Sequence, residues 1–199
     1  MKKRCVFVIG SESSGSTLIA QIISAALNGD AGWSGRGFNC CDSAFCDREN
    51  DFSQPCSEVE HLVCHRSLPF GLEPEWPPLK AWQSGYDAYF ILCTRDSTIA
   101  ALSVKKRFQR KPETITGHQQ KAKEIMEEVL RSEAKSFLWS YETFMFLKES
   151  YLQEVYSFLD LKSDYLPSEI KDANPKYINH SALSTKKGLL RSLMQNKGK

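Results

Sequence analysis

The sequence predicts an α/β domain built round a mostly parallel sheet. Three observations carry that prediction. Short, continuous apolar runs at 5–9 and 88–94 are bounded by glycine or polar residues, as in strands buried on both faces. Apolar residues at helical spacing follow at 18–26 and 122–129. No internal repeat and no linker divides the 199 residues, so the chain reads as one domain, 1–199. Strands alternating with helices place helices on the sheet faces, which gives three α/β/α layers.

The elements follow in order. Cys5-Val-Phe-Val-Ile9 is the first strand, ended by Gly10. Leu18, Ile19, Ile22, Ile23 and Ala26 line one face of a helix that Asn28-Gly29 stops. The segment 28–58 has four glycines and no period, and it reads as one long loop. His61-Leu62-Val63-Cys64 is a second strand, followed by a polar turn, His65-Arg-Ser-Leu-Pro69. Pro74, Pro77 and Pro78 mark a further loop. Ala88–Thr94 is the third strand, and a helix is expected from about Asp96 to Arg107. Ala122, Ile125, Met126 and Val129 mark an amphipathic helix, 136–140 a fourth strand, and Leu152, Val155, Tyr156 and Leu159 another helix. The end, 178–199, reads as a polar, basic tail.

Composition narrows the function classes. Lys plus Arg number 26 against 24 acidic residues, a net of +2, so no global charge argues for nucleic acid. No apolar run approaches the ~18 residues of a membrane span, and the N-terminus lacks the apolar core of a signal peptide. A soluble, cytoplasmic protein is the expectation, or a fragment whose targeting segment is missing. Of the seven cysteines, Cys5, Cys64 and Cys93 fall in strand-like runs, where buried reduced thiols are common. Cys40, Cys41, Cys46 and Cys56 cluster in the long loop without the CxxC spacing of a zinc site. No metal is expected.

The chemistry starts at Gly10-Ser-Glu-Ser-Ser-Gly15-Ser16-Thr17, between a strand and a helix. It matches the G-x-x-x-x-G-x-[ST] skeleton of a phosphate-binding loop. Backbone N–H groups at a helix N-terminus attract an anion, and Gly15 permits the turn that aims them. Ser13, Ser14, Ser16 and Thr17 add hydroxyl donors. Position 16 is Ser where a nucleotide-hydrolysing loop has the Lys that reaches the β/γ-phosphates. The class expected is therefore a P-loop-containing, nucleotide-binding domain that is a poor NTPase.

This loop, with Ser-Gly-Ser-Thr in place of Gly-Lys-Ser/Thr, resembles that of the sulfotransferases, which use 3′-phosphoadenosine-5′-phosphosulfate (PAPS) as sulfuryl donor. A second element resembles the same family. The strand Ala88–Thr94 runs into Arg95-Asp96, and Ser103 follows eight residues after Arg95. In that family such an Arg and Ser hold the donor's 3′-phosphate. Independently of the resemblance, an Arg at a strand end can fork two N–H groups onto a phosphate. Ser140-Tyr141-Glu142 and Asp172-Ala-Asn-Pro-Lys-Tyr177 are weaker likenesses to segments of family members. The resemblance implies a single sulfotransferase-like domain with donor-site residues Ser13, Ser14, Gly15, Ser16, Thr17, Arg95 and Ser103. PAPS would be the cosubstrate and 3′,5′-ADP the product.

One departure stands out. Many sulfotransferases carry Lys or Arg where this chain has Ser13, preceded by Glu12. Arg66 is the replacement expected from its position. Glu12 is expected to face away from the donor or to pair with a basic residue, and the basic run 105–111 to be a solvated helix end. His65, ending a strand and titrating near neutrality, is the first candidate for the base that deprotonates the acceptor. Glu12 and Asp42 rank below it, and His61, His118 and His180 receive no role. The acceptor, a small molecule or a glycan, is expected against 29–58 and 66–85, whose aromatics include Trp33, Phe70 and Trp82. Two other functions stay open: a catalytically silent sulfotransferase-like nucleotide-binding protein, and a small-molecule kinase on the same scaffold.

Overall fold

The computed structural model describes residues 3–28, 61–69 and 86–178. The spine of its sheet is β1 (Lys3–Ser11). Cys5, Val6, Phe7, Val8 and Ile9 have no exposed surface. Successive strand residues point to opposite faces, so both faces of β1 are covered. Burial of each such side chain contributes on the order of 1.5–3 kcal/mol, which is why a five-residue apolar run suffices to mark the strand. Phe7 stacks on Phe90 of the neighbouring strand at 5.1 Å between ring centroids.

The chain continues through α1 (Ser16–Asn28), β2 (His61–Leu68), β3 (Tyr86–Thr94), α2 (Ser97–Phe108), α3 (Pro112–Arg131), β4 (Lys135–Ser140), α4 (Tyr141–Leu147) and α5 (Glu149–Phe158). One more helical turn follows at 175–178. All strand pairs are parallel, in the order β2-β1-β3-β4. Both α1 and α3 pack against β1 and β2, and α4 packs against β4. The α/β class and the parallel sheet expected from the sequence are thus observed, in an arrangement consistent with three layers. Among the described residues, no helix is long and apolar enough to cross a membrane.

This strand order positions the site. The connection leaving β1 runs to β2 on one side, and the one leaving β3 runs to β4 on the other. Between two strands whose connections part, a crevice opens at their C-terminal ends, where α/β sheets bind ligands. Gly10 of β1 pairs with Cys93 of β3, so the residues after both strands emerge at this one crevice.

Two elements, β2 and α4, differ from expectation. β2 does not stop at Cys64: it runs through His65 and Arg66 to Leu68, because β1 extends to Ser11 and pairs Gly10 with Ser67 and Ser11 with Leu68. His65 and Arg66 therefore lie inside a strand, not in a turn after it. The helix expected from about Asp96 to Arg107 is observed as α2, Ser97–Phe108. Helix α4 follows β4 with no loop between them, since Ser140 ends the strand and its Oγ accepts the Thr143 N–H at 3.2 Å as the helix cap. The expected long loop, its cysteine cluster, Asp42, the aromatics Trp33, Phe70 and Trp82, and nearly all of the basic tail lie outside the described residues.

Candidate functional site

At the end of β1 the chain turns sharply: the Ser14 N–H donates to the Ser11 carbonyl at 3.0 Å. Ser13 at φ 66° and Gly15 at φ 88° are both left-handed. The Gly15 carbonyl then accepts the N–H groups of Leu18 and Ile19 at 3.0 and 3.3 Å, which opens α1. The amides of Gly15, Ser16 and Thr17 donate to no group among the described residues. That is the condition in which a helix N-terminus favours an anion. Gly10 allows the close approach beneath. A Cβ there would lie 2.6 Å from Ser14 Oγ and 2.8 Å from Cys93 Cβ.

β3 brings in the second half. Thr94 Oγ1 donates to the Trp139 carbonyl at 3.1 Å, tying the strand end to β4. Arg95 then turns toward the loop, and its Nη1 donates to the Ser13 carbonyl at 2.9 Å. Its Nε and Nη2 both donate to Asn174 Oδ1, at 2.9 and 2.6 Å. The guanidinium lies over the Tyr141 ring, 4.4 Å from the centroid. Burial pushes the Tyr141 phenol above its usual range, so it is a neutral hydrogen-bonding group near pH 7. Asp96 caps α2, its Oδ1 accepting the Ile99 N–H at 2.9 Å. Ser103, buried two turns into α2, donates from Oγ to the Tyr177 hydroxyl at 3.0 Å.

Together these residues wall a cavity of about 530 Å³. Ser13, Gly15, Ser16, Thr17, His65, Arg95 and Ser103 all line it, as do Arg107, Lys171 and Tyr177. The loop and the strand-end Arg, far apart in sequence, therefore meet in one space. His65 Nε2 lies 2.9 Å from Ser16 Oγ and 3.5 Å from Thr17 Oγ1, at the N-terminus of α1. Ser14 differs from its expected role. It is fully buried, and its Oγ sits beneath the loop beside Gly10 rather than on the cavity wall. The hydroxyls of Ser13 and Ser14 are buried and have no hydrogen-bond partner among the described residues. Arg66 holds its backbone place in β2 opposite Ile9, and its side chain lies outside what is described.

Glu12 is on the cavity wall too, but its carboxylate is not bare. It pairs with Arg110 and stands 3.8 Å from His118 Nδ1. Arg110 Nη1 in turn is 3.1 Å from that ring nitrogen. The basic run is thus more than a solvated helix end: Arg107 lines the cavity and Arg110 neutralises the acid in the loop. Sequence reasoning gave no role to His118, Asn174 or Tyr177. The Asp172–Tyr177 segment stood out only as a weak likeness, with nothing to show that it meets Arg95.

A second cavity of about 500 Å³ lies against α3, walled by Cys93, Ala122, Met126 and Leu130 among others. Arg95 is the residue common to the walls of both. The second cavity is mainly apolar, whereas the first gathers Arg95, Arg107 and Lys171 beside open helix amides. An anion is served best by the first. Set against known proteins, the chain matches no family model and no curated sequence.

Proposed function

We propose that this protein is a P-loop-type sulfotransferase that moves the sulfuryl group of PAPS to a hydroxyl or amine of a small-molecule or glycan acceptor. The observation that carries the reading is the convergence of Arg95 and Ser103 with the Ser13–Thr17 loop on one cavity. The residues fit a nucleotide with phosphates at two places. Open amides and the Ser13 hydroxyl, which has no partner among the described residues, suit one anion, and Arg95, Arg107 and the Tyr177 hydroxyl that Ser103 orients suit another. Among the described cavity-wall residues the only acid is Glu12, and Arg110 offsets its charge.

PAPS supplies the sulfuryl group and leaves as 3′,5′-ADP. The chain's own residues hold and orient it. The α1 N-terminus, with its fixed partial positive charge, favours the negative charge that gathers on the leaving phosphate. Such fixed donors act without reorganising in the transition state. His65 Nε2 is at the mouth of the loop, hydrogen-bonded to Ser16, and takes the acceptor's proton. Arg66, next to it in β2, is the proposed partner for leaving-group charge in place of the cation that Ser13 lacks. Positioning by these groups replaces covalent chemistry by the protein.

Ligand binding separates this reading from its rivals. Thermal shift with 3′,5′-ADP is compared with ATP–Mg²⁺, and a ligand at 100 times its Kd stabilises by about 2.7 kcal/mol. Stabilisation by 3′,5′-ADP supports the proposal. Stabilisation by ATP–Mg²⁺ alone favours a kinase. Arg95→Ala is expected to weaken 3′,5′-ADP far more than 5′-AMP, by ~1.5–3 kcal/mol for a charged hydrogen-bond partner. Equal losses would remove Arg95 from the 3′-phosphate. His65→Ala should lower turnover while leaving 3′,5′-ADP affinity intact. The lack of a cation at Ser13 and Ser16 favours a second reading, a silent nucleotide-binding module. Tight 3′,5′-ADP binding with no sulfuryl transfer to any acceptor would establish it.

A further inference from the structure

We propose that the Asp172–Tyr177 segment is the third wall of the anion site, and that Asn174 positions Arg95 without cancelling its charge. This rests on the sulfotransferase reading and specifies how its phosphomonoester end is held.

The hydrogen bonds assign Asn174 its orientation. Arg95 offers only donors, so the carboxamide oxygen must face it. Glu142 offers only acceptors, and Asn174 Nδ2 donates to its Oε1 at 3.4 Å. That same Oε1 accepts the Asp96 N–H at 3.1 Å. Asn174 is thus held on both sides, with 7% of its surface exposed. The segment itself is fastened to the start of α4. The Tyr141 hydroxyl accepts the Ala173 N–H at 2.8 Å, and Asp172 Oδ1 accepts the Asn174 N–H at 2.9 Å.

Charge explains why this residue is an amide. A guanidinium has five N–H donors. Two are taken by Asn174 Oδ1 and one by the Ser13 carbonyl, which leaves two without a described partner. An aspartate at 174 could accept the same two bonds, but its charge would neutralise the cation. The carboxamide fixes the guanidinium and leaves its full charge for a ligand. Tyr177 adds to this wall. Its oxygen accepts from Ser103, so its own proton is left to donate toward the cavity it lines. Arg95 also faces its ring, at 5.8 Å. The wall is suited to a dianionic phosphomonoester beside Arg95 and Tyr177, with Ser103 holding the Tyr177 hydroxyl in place.

The test measures Kd for 3′,5′-ADP and 5′-AMP on the full chain and on Asn174→Asp, Asn174→Ala and Tyr177→Phe, with Tm recorded for each. The ratio of the two affinities is the readout, because a purely structural role would move both nucleotides together. Asn174→Asp is expected to weaken 3′,5′-ADP by about tenfold or more and 5′-AMP by less than about twofold. Asn174→Ala, which frees the guanidinium but leaves it charged, should lose less than Asn174→Asp. Tyr177→Phe should reduce the ratio by about threefold to tenfold, and it serves if the Asn174 variants fail to fold. A wild-type preference for 3′,5′-ADP that survives both Asn174→Asp and Tyr177→Phe overturns this inference and leaves the sulfotransferase reading standing. Equal losses for both nucleotides also overturn it. A wild type that binds 3′,5′-ADP no better than 5′-AMP overturns both.

Discussion

Position 15 requires glycine for two independent reasons. Its φ of 88° lies where a Cβ crowds the backbone, at a cost of about 1–2 kcal/mol. A Cβ there would also lie 2.6 Å from the Tyr141 ring. Gly15→Ala is therefore expected to destabilise the fold by about 2–4 kcal/mol, read as a lower urea midpoint. Ser13 shares the left-handed conformation but not the crowding. Ser13→Gly should stay within ~1 kcal/mol of wild type, since relief of strain offsets the added freedom of the unfolded chain. If the two substitutions cost the same, the turn is not the one described. Gly15 was legible in the sequence because backbone geometry dictates the residue type. The roles of Asn174 and Arg110 were not. Each depends on a contact spanning some eighty or more residues, and no local pattern marks it.

Among the elements, α2 shows how one residue serves site and fold together. Asp96 follows Arg95 in the motif that resembles a donor site, yet its carboxylate caps the helix that carries Ser103. Asp96→Ala should cost ~1 kcal/mol in a denaturation experiment, and Asp96→Asn much less, since Asn caps nearly as well. Lys105, Lys106 and Arg107 in the last turn complement the other end of the helix dipole. The strands β1 and β3 were readable because burial on both faces demands unbroken apolar runs. The second half of β2 was not. Its His65 and Ser67 line the cavity at the sheet's C-terminal edge, where the cavity, not the core, sets residue type. Helix α4 escaped for another reason: a strand that passes directly into a helix leaves no break to read.

For the molecule as a whole, buried phenols set an alkaline limit. Burial pushes the Tyr156 hydroxyl well above its usual range, and Tyr141 shifts the same way. The folded state then holds protons that the unfolded chain releases near pH 10. Stability from these groups is present below about pH 10 and is lost as pH rises toward their folded values. Tm should fall between pH 9 and 11, and Tyr156→Phe should flatten that fall. A Tm independent of pH over this interval would contradict the buried phenols. The bond from Arg95 to the Ser13 carbonyl has a wider consequence. It joins the two halves of the crevice, so the shape of the loop and the aim of the guanidinium vary as one quantity. A ligand that orders either end has already met part of the entropic cost of ordering the other. A nucleotide carrying both phosphates should therefore bind with positive coupling, more tightly than the sum of what its two singly phosphorylated halves achieve apart.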